Sequence, residues 1–308
     1  MRWPLTFAIA ALVSLTAPAS ADAAARCTSA LKPGDHTLPV TFQGRQYPVN
    51  VYVPAGARGA AVINLHGTQS TGAGQLEYSD MRSTADAGRF LVLAPSGAIP
   101  AAGGFAWNVP GVGTPPAGAR DDVAFLDQVI TTATTSLCVD RTRVYGTGYS
   151  GGGRMMSAFA CHRPHRIAAI APVAGLRAGR PDPVDTSKLD PLSCTPGRAV
   201  PVITFHGLQD ATNPFPGGGS PYWGYSVPAA QQRWAQINKC SDRPRTTTVS
   251  TNVSKVSYQR CRGGAEVVLY TIANGGHTWP GTSVDNGNGT VTHEINANRL
   301  MWQFFERH

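Results

Sequence analysis

The chain has 308 residues, 42% of them hydrophobic and only 14% charged, which suits one large domain or two small ones and excludes a disordered, charge-dominated chain. Its net charge of +8 comes from Arg and Lys scattered without a run of four, which argues against a nucleic-acid face and for a dispersed basic surface. With 34 Gly and 24 Pro, that surface should consist largely of neutral loops.

The N-terminus reads as a secretory leader over residues 1–23. Arg2 supplies the positive start and 5–15 an apolar stretch too short to span a bilayer. Ala19-Ser20-Ala21 and Ala21-Asp22-Ala23 offer small-residue cleavage sites, so cleavage falls near 21–25. The expected location is therefore extracellular, and 24–308 is expected to form a single domain. Residues 36–43 and 46–53 alternate around Gly44-Arg45 and predict a hairpin. Next come an apolar strand at 60–65, a helix at 77–88 and a buried strand at 90–94. A Gly/Pro-rich loop follows at 98–119 and carries Trp107. A helix is predicted at 121–137, opened by two acids where the helix dipole favours them. Strands at 143–147, 167–173, 200–205 and 265–272 alternate with helices at 154–160, 227–238 and 294–306. Apolar strands alternating with helices predict an α/β fold, with a mainly parallel central sheet covered on both faces and no large cap domain.

Chemistry concentrates at strand ends. Ser150 is the centre of Gly148-Tyr149-Ser150-Gly151-Gly152, directly after a strand and before a helix. This G-x-S-x-G spacing lets a serine hydroxyl stand clear of a tight strand-to-helix turn. His277, in Gly275-Gly276-His277-Thr278-Trp279-Pro280 after the last strand, is the candidate base. Asp210, after the strand ending in His206-Gly207, is the candidate acid that would orient the imidazole. Asp182, Asp185 and Asp190 lie in a Pro-rich loop and suit that role less well. An oxyanion would need two backbone donors, for which the Gly151 and Thr68 amides are the candidates. His66 reads as structural rather than as a second base. Trp107, Tyr222, Trp223 and Trp279 sit in Gly/Pro-rich loops and are candidates for walls of a substrate pocket. Asp285-Asn286-Gly287-Asn288-Gly289 reads as turn chemistry, because it lacks the spacing of a calcium loop.

Six cysteines, Cys27, Cys138, Cys161, Cys194, Cys240 and Cys261, suggest disulfides in an exported chain, with fifteen possible pairings. The absence of a C-x-x-C pair weighs against a zinc site. Cys240 and Cys261 flank a strand-rich segment and could close a hairpin. Cys161 ends the helix after the elbow and Cys194 lies in the loop after the next strand. That leaves Cys27 with Cys138.

At these motifs the chain resembles the secreted esterase family that includes polyhydroxybutyrate depolymerases and type C feruloyl esterases. The resemblance rests on Leu65-His66-Gly67, Asp121-Asp122-Val123-Ala124-Phe125-Leu126, Leu137-Cys138-Val139-Asp140, the elbow, Ala169-Ile170-Ala171-Pro172-Val173, His206-Gly207 with Asp210, and Gly275-Gly276-His277-Thr278-Trp279-Pro280. It spans nearly the whole mature chain, and the six cysteines fall where feruloyl esterases of this kind carry theirs. It implies an α/β-hydrolase fold, a Ser150–Asp210–His277 triad and no cofactor or metal. The expected substrate is a hydroxycinnamoyl ester of plant cell-wall polysaccharide, with a polyhydroxybutyrate-type polyester as the alternative. The expected partner is that ester alone, with no nucleic acid and no membrane, and the protein is expected to be a monomer. The segment 213–225 is longer and more aromatic than the family pattern, which bears on the substrate more than on the chemistry.

Overall fold

A computed structural model describes Met1, residues 31–241 and residues 243–308. The expected leader, Met1 apart, lies outside the described residues, and so does Cys27.

The first hairpin pairs β1 (Gly34–Phe42) with β2 (Arg45–Val53), and Gln43 and Gly44 both take positive φ in its two-residue turn. Leu38, Val40, Val49, Val51 and Val53 point inward, so only one face of this ribbon is buried. The strands that follow are buried along their whole length: β3 (Ala61–Leu65), β4 (Leu91–Ala94), β7 (Val144–Tyr149), β8 (Ile170–Val173) and β9 (Val202–Gly207). Such continuous apolar runs require cover on both faces. With β12 (Val267–Ile272), β11 (Val253–Tyr258) and β10 (Arg245–Thr248) they form one ten-stranded sheet in the order β1-β2-β4-β3-β7-β8-β9-β12-β11-β10. The run from β4 to β12 is parallel, and both flanks are antiparallel.

Helices cover both faces. On one, α3 (Asp122–Ser136), α4 (Gly151–His162) and α5 (Val227–Ile237) contribute Phe125, Ile130, Met155, Phe159 and Trp234 to the larger core. On the other, α1 (Gly72–Ser79), α2 (Met81–Gly88) and α6 (Ala297–Phe305) contribute Leu76, Met81, Trp302 and Phe305 to the second. No helix among the described residues is long and apolar enough to cross a membrane.

Two local departures from the sequence reading have physical causes. The helix expected at 77–88 is two helices broken at Asp80, which takes a left-handed φ of 48°. Asn298 of α6 donates to the Ser79 carbonyl at 2.7 Å, and Asn64 of β3 donates to the Ser79 hydroxyl at 2.9 Å. These tertiary bonds hold the chain at the break. The loop at 98–119 contains a small hairpin of β5 (Ile99–Ala101) and β6 (Gly104–Ala106), which pins the segment after β3 through Gln69 N–H to Phe105 O and Phe105 N–H to Ser70 O, both 2.9 Å.

Candidate active site

β7 runs straight into Ser150, whose φ of 52° and ψ of −113° turn the chain sharply before α4 begins at the next residue. A non-glycine residue in such a conformation costs on the order of 1–3 kcal/mol and persists only where its surroundings enforce it. Here Ser150 N–H donates to Val173 O at 2.9 Å, and its carbonyl accepts from Arg154 N–H at 3.0 Å. The flanking glycines are steric requirements. A Cβ on Gly148 would stand 2.6 Å from the carbonyl carbon of Gly152, and one on Gly152 would overlap the carbonyl oxygens of Leu65 and His66. Ser150 is 8% exposed, so its surroundings leave a narrow approach.

β9 and β12 are parallel neighbours, and their C-terminal loops carry Asp210 and His277. His277 Nδ1 lies 2.7 Å from Asp210 Oδ2. The other carboxylate oxygen accepts the Thr212 and Asn213 amides at 2.9 and 2.8 Å. His206 Nε2 lies 2.8 Å from Asn213 O and 3.3 Å from Asp210 Oδ2, so its proton is on Nε2 and is shared between them. Burial alone would push the Asp210 carboxyl up, but hydrogen bonds from His206 and His277 outweigh it and hold the group well below the usual carboxylate range. Asp210 is therefore an ionised acceptor that fixes the Nδ1–H tautomer of His277 and leaves Nε2 as the nitrogen available for proton transfer.

Three residues that sequence reasoning did not single out hold the His277 loop. Tyr149, immediately before Ser150, packs against the imidazole with the rings tilted and centroids 4.9 Å apart, and donates to the His277 carbonyl at 2.5 Å. Burial pushes its phenol far up, so it remains a donor. Asn286 Nδ2 reaches the hydroxyls of Tyr149 and Tyr78, both at 2.8 Å. The 285–289 segment also makes its own turn bonds, including Gly287 N–H to Asp285 Oδ1 at 2.8 Å, and Asn288 O accepts the His277 amide at 2.8 Å. Tyr149 was legible as part of the elbow. Nothing in the local pattern marked Tyr78 or Asn286, which come together over 208 residues of sequence.

Gly151 is the first residue of α4, so its N–H has no intrahelical acceptor. A Cβ placed on Gly151 would stand 3.2 Å from the Thr68 amide nitrogen and 2.6 Å from its hydroxyl, which brings the two candidate donors side by side. His66 is buried, with Nδ1 bonded to Gly67 O at 2.7 Å and Nε2 accepting from Gly97 N–H at 2.9 Å. Both nitrogens are occupied by backbone, so neither is free to act as a base. Trp107 lies against it with ring centroids 4.9 Å apart and donates to the His66 carbonyl at 2.8 Å.

The four loop aromatics separate. Trp279 and Trp223 are both 0% exposed, so the structure places neither indole at an open wall. Trp279 donates to Asn298 Oδ1 at 3.0 Å, and Trp223 to Pro214 O at 2.7 Å while packing beside His206. Their Gly/Pro-rich loops fold back onto the body because burying an indole is worth far more than leaving it in water. Trp107 is 5% exposed and supports the loop after β3, whereas Tyr222, at 45%, stands in solvent. Of the cysteines, Cys161 is bonded to Cys194 and Cys240 to Cys261, and Cys138 lies half-buried at the end of α3. Asp182, Asp185 and Asp190 accept hydrogen bonds within their own loop.

No family model matches the chain. Among curated proteins it is 34% identical over 182 residues to feruloyl esterase B of Piromyces equi, covering 56% of this chain and 31% of that one. It is 27% identical over 197 residues to feruloyl esterase D of Neurospora crassa, covering 61% of this chain and 56% of the relative. The chain thus spans about a third to rather more than half of these relatives' lengths. Among solved structures, the acetyl xylan esterase of Aspergillus awamori superposes with a TM-score of 0.60 over 88% of this chain and 99% of that one, at 17% identity, which shows a shared fold.

Proposed function

We propose that the chain is a secreted serine carboxylesterase of the α/β-hydrolase type and that its substrates are hydroxycinnamoyl esters of the feruloyl type, a reading supported by its similarity to feruloyl esterases B and D. The observation that carries this reading is the 2.7 Å bond between His277 and an ionised, fully hydrogen-bonded Asp210, at the ends of β9 and β12 in the same sheet whose β7 ends in the strained Ser150 elbow.

The chemistry follows from those groups. Ser150 Oγ attacks the ester carbonyl while His277 Nε2 takes its proton, and Asp210 stabilises the imidazolium that forms. The Gly151 and Thr68 amides receive the oxyanion. Two such donors in a dry site supply a large share of the rate, and loss of one costs on the order of 100- to 1000-fold in turnover. The imidazolium then protonates the leaving alcohol, and water activated by the same histidine releases the acid. No step calls for a cofactor. The two disulfides suit an oxidising compartment, which supports export.

The substrate relatives are named for favours feruloyl esters over polyesters. Purified protein should hydrolyse methyl ferulate and leave a polyhydroxybutyrate film intact. Ser150→Ala should lower ferulate turnover by about 1000-fold or more with an unchanged fold. Film clearing without ferulate turnover would replace the substrate assignment, and full activity in Ser150→Ala would overturn the mechanism.

A further inference from the structure

Beside α4 lies a cavity of about 280 Å³, bounded by the stretch 109–112, the loop at 177–193 and Tyr222. Its lining is partly apolar, with Val112, Ala158 and Leu192. Its polar side is unusual in carrying cations without counter-ions. Arg177 is 5% exposed, and its Nε and Nη1 donate to the carbonyls of Leu176, Trp223 and Tyr225 at 2.6–2.7 Å. Its guanidinium lies 3.5 Å over the Trp223 ring and 4.2 Å over Tyr225. Its Nη2 is sealed from solvent and has no partner among the described residues, and the same is true of Nε of Arg154.

Both cations line the same cavity. Burial first, and the charge of Arg154 besides, push the Arg177 guanidinium down to about 10. The acid in the cavity wall is already engaged: Asp190 Oδ2 pairs with Arg180 Nε at 3.0 Å, and its Oδ1 accepts the Leu192 amide at 2.9 Å. Three arginines against one aspartate leave the lining with an excess of positive charge. A buried cation without a counter-charge is costly, and an anion that supplies the missing acceptor offsets that cost. Guanidinium nitrogens match the geometry of a carboxylate, and the apolar walls suit a hydrocarbon body.

We propose that this cavity binds a small carboxylate with an apolar body, held by the positive charge of the Arg154 and Arg177 guanidinium groups in its wall. The site makes no use of the Ser150 hydroxyl, so it stands or falls apart from the reaction proposed above.

The test is calorimetric titration of the full chain with benzoate, hexanoate and the neutral isostere benzamide, repeated on protein whose Ser150 has been blocked by a fluorophosphonate. At least one carboxylate should bind, equally well to the blocked protein, and benzamide should bind about ten-fold more weakly or worse. Arg154→Gln should weaken the carboxylate by about ten-fold or more. Leu192→Asp, a change at an exposed rim position that the fold tolerates, should also weaken it by adding a like charge. No carboxylate binding below about 10 mM overturns the proposal. So does equal affinity for benzamide, loss of binding in the blocked protein, or undiminished binding in Leu192→Asp.

Discussion

His66 donates from Nδ1 to Gly67 O and accepts the Gly97 amide on Nε2, so it is held neutral in one tautomer. Burial, opposed by the Gly67 carbonyl and aided by Arg120, pushes it down from 6.5 to about 4. The unfolded chain therefore takes up this proton first as pH falls. The stabilisation is fully present above pH 6.5 and is lost between there and pH 4, amounting to about 3 kcal/mol. Urea melts at pH 7 and pH 4 should show that loss, and His66→Gln should remove about that much of the difference. An identical pH dependence in the variant would contradict the assignment. Asp210 acts in the other range: its stabilisation is present above its ordinary value of 3.8 and vanishes only well below it, so it stays charged wherever His66 is still neutral. At this scale the Ser150, Asp210 and His277 positions were readable, because each follows a strand within a glycine-bearing turn. His206 was readable only as part of a motif, since its bond to Asp210 depends on how the loop closes through Asn213.

At the level of elements, the decisive contact is between the ends of β9 and β12. Gly207 packs so closely on the Gly275–Gly276 backbone that an added Cβ would overlap both carbonyl oxygens. Gly207→Ala should push the two loops apart, part Asp210 from His277, and lower kcat by about ten-fold or more at a stability cost of about 1–3 kcal/mol. Wild-type kcat in a folded Gly207→Ala protein would show that the strand ends do not set the spacing. The buried strands were legible as short apolar runs bounded by turn residues. The break at Asp80 was not, because it rests on Asn298 in a helix more than two hundred residues away. The hairpin of β5 and β6 was hidden too: three-residue strands inside a Gly/Pro-rich loop leave no alternation to read.

Over the whole molecule, the sheet separates two cores, and the disulfides fasten loops at its margin. Cys161–Cys194 spans 33 residues and Cys240–Cys261 spans 21, so loop-closure entropy assigns each about 3–4 kcal/mol. Reduction under otherwise native conditions should lower the unfolding free energy from urea melts by the corresponding several kcal/mol, and the midpoint with it. An unchanged midpoint would mean that the bridges constrain nothing in the unfolded chain. The parallel layout was legible from alternation of strands with helices. The antiparallel flanks and the strand order were not, since pairing partners are chosen in three dimensions. The burial of Trp223 and Trp279 belongs here as well: a Gly/Pro-rich loop reads as surface, yet these loops close over their indoles.

The most direct measurement treats native protein with a fluorophosphonate, digests it and locates the adduct by mass spectrometry. A single phosphonylated peptide carrying Ser150, absent after prior denaturation and lost in His277→Gln, is expected of a serine made nucleophilic by its folded neighbours. Complete inertness of the native chain towards the reagent, or an adduct on another serine, would contradict it.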